Sequence, residues 1–251
     1  MGTAVPQIAA YSTASAGRKQ RSVPGGLAWR TDFFTPTEGL ENAPMAFLSE
    51  STSGRVIRTH YHALDQFHVV VSGGGTLGRR ALGLNMVHFA RAYTPYGPMT
   101  AGAHGLGFIS LYARRDPGAH YLPEHTNALK SMVGRKPGQV SEMPIFGQTL
   151  QTHVHAFERI HDDMGLAAYS ISLPAGARAL APDASASGGQ YIVVTGGALM
   201  HDDSEYRALA LVFAPPEDPP FELIAGASGL QVLVLHFPHQ ETARTQIGLA
   251  L

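Results

Sequence analysis

The chain has no cysteine in 251 residues, which excludes disulfides and every thiolate-based chemistry. It is also short of charge. Asp, Glu, Lys and Arg make up 15% of it and nearly cancel, so a net charge of −1 supplies no field to gather nucleic acid or acidic lipid. No apolar run approaches the roughly 18 residues that a membrane-crossing helix needs. The stretch MGTAVPQIAAYSTASAGRKQRS has no charged segment followed by an apolar core, so no secretory signal is read there. Together these absences imply a cytoplasmic protein without nucleic-acid or membrane partners. Tryptophan is scarce as well: Trp29 is alone, and a place in the core or at an interface is expected for it.

What is present suits a turn-rich all-β protein. Hydrophobic residues are 44% of the chain, enough for a buried core, and 28 Gly and 17 Pro punctuate short apolar runs. Strands are expected near 45–49, 55–62, 66–72, 75–82, 86–90 and 99–113, and again near 166–173, 176–181, 190–196, 205–213, 221–225 and 230–237. Residues 1–23, with the basic cluster Arg18, Lys19 and Arg21, read as a flexible N-terminal arm. Residues 116–147 read as a connector in which EHTNALKSMV forms a short helix.

The two sets of strands are copies. Sliding the chain by 124 residues, without gaps, lays Gln66–Leu111 on Gln190–Leu235. Gln66 meets Gln190, Val69-Val70 meets Val193-Val194, Gly73 meets Gly197, and Phe89-Ala90 meets Phe213-Ala214. Further on, Pro95 meets Pro219, Gly105-Leu106 meets Gly229-Leu230, and Leu111 meets Leu235. Matches that fall at strand–turn boundaries in one register indicate two copies of one supersecondary unit. Each copy is too long for a solenoid repeat and suits a small barrel. The division expected is 24–115 for the first barrel and 148–251 for a degenerate second one.

Chemistry concentrates in GRVIRTHYHALDQFHVVVSG, from Gly54 to Gly73. Successive side chains of a strand point to opposite faces, so His60 and His62 share a face with Tyr61 turned away, and Gln66 and His68 share one in the next strand. Arg58 falls on the His60 face by the same alternation, where it suits a substrate carboxylate. Two same-face pairs joined by a turn converge inside a barrel.

This pattern resembles the cupin superfamily, whose first motif runs G, five residues, H-x-H, three or four residues, E, six residues, G. Gly54, His60, His62 and Gly73 take those places, with Gln66 where the family has Glu. The second motif, G, five residues, P-x-G, two residues, H, three residues, N, is matched by Pro95-Tyr96-Gly97, but Thr100 stands for its His and His104 for its Asn. The resemblance implies two tandem cupin (double-stranded β-helix) barrels. It also implies one divalent ion (Zn, Ni, Fe or Mn) in the first barrel, on His60, His62 and Gln66. His68, about 7 Å along the strand from Gln66, stands in for the missing imidazole. His104, about 13 Å beyond Thr100, reaches the site only if glycines bend its strand. Gln66 stays neutral, so proton transfer falls to His68 or His104, with Arg58, Tyr96 and Thr100 in the substrate pocket.

The activity implied is that of a metal-dependent small-molecule enzyme of oxygenase, isomerase or lyase type. The same polar cluster equally suits a metal-free pocket whose neutral histidines grip a ligand, or a structural module. In the second copy His60 and His62 become Ala184 and Ala186, and no imidazole is expected near Gln190. His153 and His155 repeat the H-x-H spacing outside the motif and are read as a decoy. A homodimer is expected, because open sheet edges tend to pair.

Overall fold

The strands Gln66–Leu77 and Gln190–His201 open on near-continuous apolar runs, QFHVVV and QYIVV, because both of their faces are buried. A computed structural model of the protein describes residues 6–37, 39–148 and 150–239. The expected division therefore extends beyond the described residues at 1–5 and 240–251. Within them the chain forms two large antiparallel sheets, each curled over itself, and a small two-stranded one of His60–Tyr61 and His120–Tyr121. In the first, the strands run in the order Gln139–Glu142, Val87–Ala90, Gln66–Leu77, Met99–Tyr112, Met45–Ser51, Gly26–Phe34 and Lys19–Val23. The second has Gln7–Ala9, Leu211–Ala214, Gln190–His201, Glu222–His236, Ala167–Leu173 and His153–His161.

The curl is made at paired glycines. Gly73 has φ +62° and Gly105 has φ +76°, and a Cβ on Gly73 would lie 2.3 Å from the Gly105 carbonyl oxygen. At this point the ladder between Gln66–Leu77 and Met99–Tyr112 slips register, so each long strand bends and serves both walls of the barrel. The second copy repeats the device: Gly197 and Gly229 have φ +66° and +78°, with a Cβ on Gly197 only 2.1 Å from the Gly229 oxygen. Left-handed backbone also recurs at Asn85 and Leu209, whose amides donate to Val70 and Val194 respectively. The duplication thus holds residue by residue in the backbone.

Alternation sorts the side chains. Phe67, Val69, Ile109 and Leu111 face out of the first barrel and pack against Tyr191, Val193, Leu233 and Leu235 of the second. These are the same four positions of the repeat in both copies, so the barrels meet face to face as a two-fold dimer would within one chain. Tyr191 Oη ties them by donating toward the Met45 and Tyr112 carbonyls, at 3.2 and 3.0 Å. The opposite faces line the barrels. In the second, aliphatic side chains such as Ile192, Val194, Leu223 and Val232 fill the interior. The first is apolar only in part, around Val70, Met99 and Phe108, and keeps a polar side.

Two expectations need correction. The N-terminal segment is structured: Gln7–Ala9 pairs with Leu211–Ala214 of the second sheet, and Lys19–Val23 pairs with Gly26–Phe34 of the first. Polar composition hid this, since an edge strand gains backbone hydrogen bonds whatever its side chains. The connector holds the expected helix, at Thr126–Ser131, but its flanks belong to the first barrel. Gln139–Glu142 extends that sheet, and His120–Tyr121 pairs with His60–Tyr61 beside the H-x-H.

Candidate active site

A cavity of about 480 Å³ opens in the first barrel, lined on its polar side by His60, His62, His68, Tyr96 and Asp116. The H-x-H and the TPYGP turn are brought together by backbone pairing: the His60 amide donates to Tyr96 at 3.1 Å and the Tyr96 amide returns a bond at 3.0 Å. The Tyr96 ring then sits among four imidazoles, with centroids 4.5, 6.4, 5.4 and 5.5 Å from those of His60, His62, His68 and His88.

Each motif histidine is held by its Nδ1. His60 Nδ1 donates to the Arg58 carbonyl at 2.7 Å, and His62 Nδ1 donates to Asp116 Oδ2 at 2.7 Å. Carbonyl and carboxylate oxygens only accept, so both rings carry Nδ1–H and keep the lone pair on Nε2. Neither Nε2 has a protein partner among the described residues. Asp116 Oδ2 is itself fixed by the Gly118 amide at 2.8 Å, while its buried Oδ1 has no partner.

Gln66 is buried behind this layer and takes no part in the cavity wall. Its Oε1 accepts from Tyr112 Oη at 2.8 Å and Tyr96 Oη at 3.3 Å, so the oxygen expected on a metal is already occupied. Burial drives both tyrosine pKa values far upward and keeps both phenols as donors. His68 lines the cavity as expected, with a buried Nδ1 that has no partner. His88 lies opposite it in the ladder, ring centroids 5.8 Å apart, with its own Nε2 unpartnered and Nδ1 on Ser141. Burial holds His60 and His88 down to about 4, and His68 well below its ordinary value with neighbouring imidazoles adding to the effect. These three rings are neutral near pH 7.

Other expected residues fall elsewhere. Arg58 lies in a break between the strands Val56–Ile57 and His60–Tyr61, where alternation lapses. Its guanidinium is exposed, bonded to Glu124 at 2.7 Å and laid over the Tyr121 ring. Arg55 takes the inward position instead. Thr100 is partly exposed opposite Val56 and Thr76, while its neighbours Met99 and Ala101 face inward. His104 is exposed in the irregular stretch between Ala101 and Leu106 and does not line the cavity, because the glycine bend carries it outward. His153 and His155 sit on the edge strand of the second sheet, away from the cavity.

The second barrel also departs from expectation. His236 stands directly opposite Gln190 in the ladder, at the repeat position of Tyr112. Both are buried, and Gln190 Oε1 and His236 Nε2 have no partners. Burial brings His236 down to about 4. An imidazole does lie near Gln190, and it entered from the last strand rather than from the motif.

The fit to a divalent ion is partial. The Nδ1 bonds of His60 and His62 are those that orient metal-binding imidazoles. The amide oxygen of Gln66 is engaged, however, and among the described residues no three His, Asp or Glu side chains are placed to hold one ion.

No protein-family model matches the chain, and no curated protein matches it in sequence. Solved structures do. A proposed dioxygenase from Nostoc punctiforme shares 12% identity over 95% of this chain and 85% of its own, with a TM-score of 0.63. A deletion mutant of oxalate decarboxylase from Bacillus subtilis shares 13% over 96% and 80%, with a TM-score of 0.61. A further structure of that decarboxylase, studied for its Mn(II) centres, shares 11% with a TM-score of 0.59. At such identities the likeness is one of fold: the chain has the cupin fold, in two tandem barrels.

Proposed function

We propose that the first barrel is the active site of a small-molecule enzyme that moves a proton, as an isomerase or lyase does, with His62 as the acid–base group. The observation that carries this is the His62–Asp116 hydrogen bond. A buried carboxylate on Nδ1 fixes the tautomer, leaves Nε2 basic and stabilises the imidazolium formed when it takes a proton. His62 Nε2 would accept a proton from a carbon beside a carbonyl, leaving the electron pair as an enolate, and return it to another atom or face of the same molecule. In an elimination the same pair expels a leaving group. His60, neutral and locked by Arg58, shapes the wall. Deuterium uptake tests the reading: a panel of small keto and hydroxy acids in D2O should show exchange with the natural protein and none with His62→Gln. Equal exchange by both would sink it.

A second reading places a divalent ion, Zn, Ni, Fe or Mn, on the Nε2 atoms of His60 and His62, with water or substrate completing its shell, since no third His, Asp or Glu is placed to join them among the described residues. The two free Nε2 atoms favour it, as do the Mn(II) centres of the structurally similar oxalate decarboxylase. When bound, such an ion would polarise an oxygen of the substrate. Exchange that disappears on chelation and returns with one metal would select this reading over the first.

A further inference from the structure

We propose that the cavity of the first barrel receives a small organic acid, with its carboxylate held by Arg55 and its apolar body laid against Met99 and Phe108. Most charged side chains around the cavity are paired, held by hydrogen bonds or open to water. Glu50 accepts from Arg18 at 2.7 Å and Arg30 donates to Asp32 at 2.6 Å, while the Asp116 carboxylate is held by the neutral His62 ring and the Gly118 amide and keeps its charge. Arg21 stands at the rim but is exposed, where water screens it. Arg55 is the exception. Its partly buried guanidinium lines the cavity with no carboxylate within 4.0 Å among the described residues. Its only described hydrogen bond runs from Nη1 to the neutral Ser51 hydroxyl at 2.7 Å, and its Nε is buried without a partner.

A desolvated cation without a counter-charge is unfavourable in the free protein and favours any ligand that supplies one. Burial lowers the Arg55 pKa, an effect that the nearby Tyr121 opposes. The end-on fork of Nη1 and Nη2, each with an N–H not given to Ser51, matches a carboxylate, which takes two parallel N–H bonds. Arg55 is the inward cation left without a partner, and Asp116 places a carboxylate on the same cavity, so a monoanion suits it better than a doubly charged phosphate ester. The side of the cavity formed by Ile57, Met99 and Phe108 has no polar side-chain atoms. A volume near 480 Å³ falls in the usual range for small-molecule sites.

This inference rests on the cavity proposed above as an active site, but not on proton transfer taking place there. Calorimetric titration and thermal shift with acids from acetate to phenylacetate, each beside its neutral amide, test it. An acid from the series should bind and stabilise the natural protein while its amide does not. Affinity should fall about tenfold or more in Arg55→Gln, less in Arg55→Lys, and stay unchanged in Arg58→Gln. His62→Gln should still bind the acid, which separates this inference from the acid–base reading. Should Arg55→Gln fail to fold, the acid–amide comparison and Arg55→Lys still decide. Binding of amide and acid alike, failure of every acid to bind, or undiminished binding by a folded Arg55→Gln would each overturn the proposal.

Discussion

His62 and Asp116 form one buried unit assembled from positions 54 residues apart in the sequence, with Nδ1 and Oδ2 2.7 Å apart. Asp116→Asn keeps the shape but weakens the acceptor and frees the tautomer. Turnover should fall about 10²–10⁴-fold with KM little changed. A rise in KM alone, with kcat intact, would make Asp116 a binding residue and remove it from the proton path.

Gln66 is a structural acceptor rather than a ligand. Gln66→Met takes the shared acceptor from the buried Tyr96 and Tyr112 hydroxyls, leaving Tyr112 only its 3.3 Å contact with His62 Nδ1, and should cost about 1–3 kcal/mol in urea unfolding. An unchanged midpoint would mean that the two phenols have other partners.

The glycine corners should be matched in importance. Gly73→Ala and Gly197→Ala each force a left-handed residue against a carbonyl oxygen, and each should lose about 2–4 kcal/mol. Gly17→Ala, with open space around it, should stay near neutral. If one corner tolerates alanine, the two copies do not depend on the same bend.

Stability should fall in mild acid. His60, His88 and His236 are held near 4 when folded, against an ordinary value near 6.5, and His68 is depressed as well. Between those values the unfolded chain binds more protons. The contribution is therefore complete above about pH 6.5 and lost as pH falls toward 4, at up to about 1.4 kcal/mol per pH unit for each ring. Urea titrations between pH 7 and pH 5 should show this slope, and His88→Gln should reduce it by about one proton. A flat profile would mean that these rings are accessible to protons in the folded state.

The fold and the site's location were legible in the sequence because they rest on local patterns. The 124-residue register, Gly73 and Gly105, and the H-x-H all act over a few residues of strand. Asp116 was not legible, since a lone aspartate past the last strand shows nothing of the return that carries it to His62. His88 was hidden in the apolar run VHFA, although its inward face matched that of His68. Arg58 was chosen over Arg55 by extending alternation across residues 58–59, where there is no strand. His236 was missed because the motif was searched at its own positions, while the imidazole came from the repeat position of Tyr112.

The pairing of Gln7–Ala9 with Leu211–Ala214 has a consequence for how the chain is made. Gln7–Ala9 finds its neighbour only after residues 211–214 have been made. Residues 19–23, meanwhile, can pair at once with the strand beside them. This strand is therefore a late latch, whose closure over so long a loop is slow. A bulky insertion beside Gln7 would be felt first in the second barrel, the one farther along the sequence.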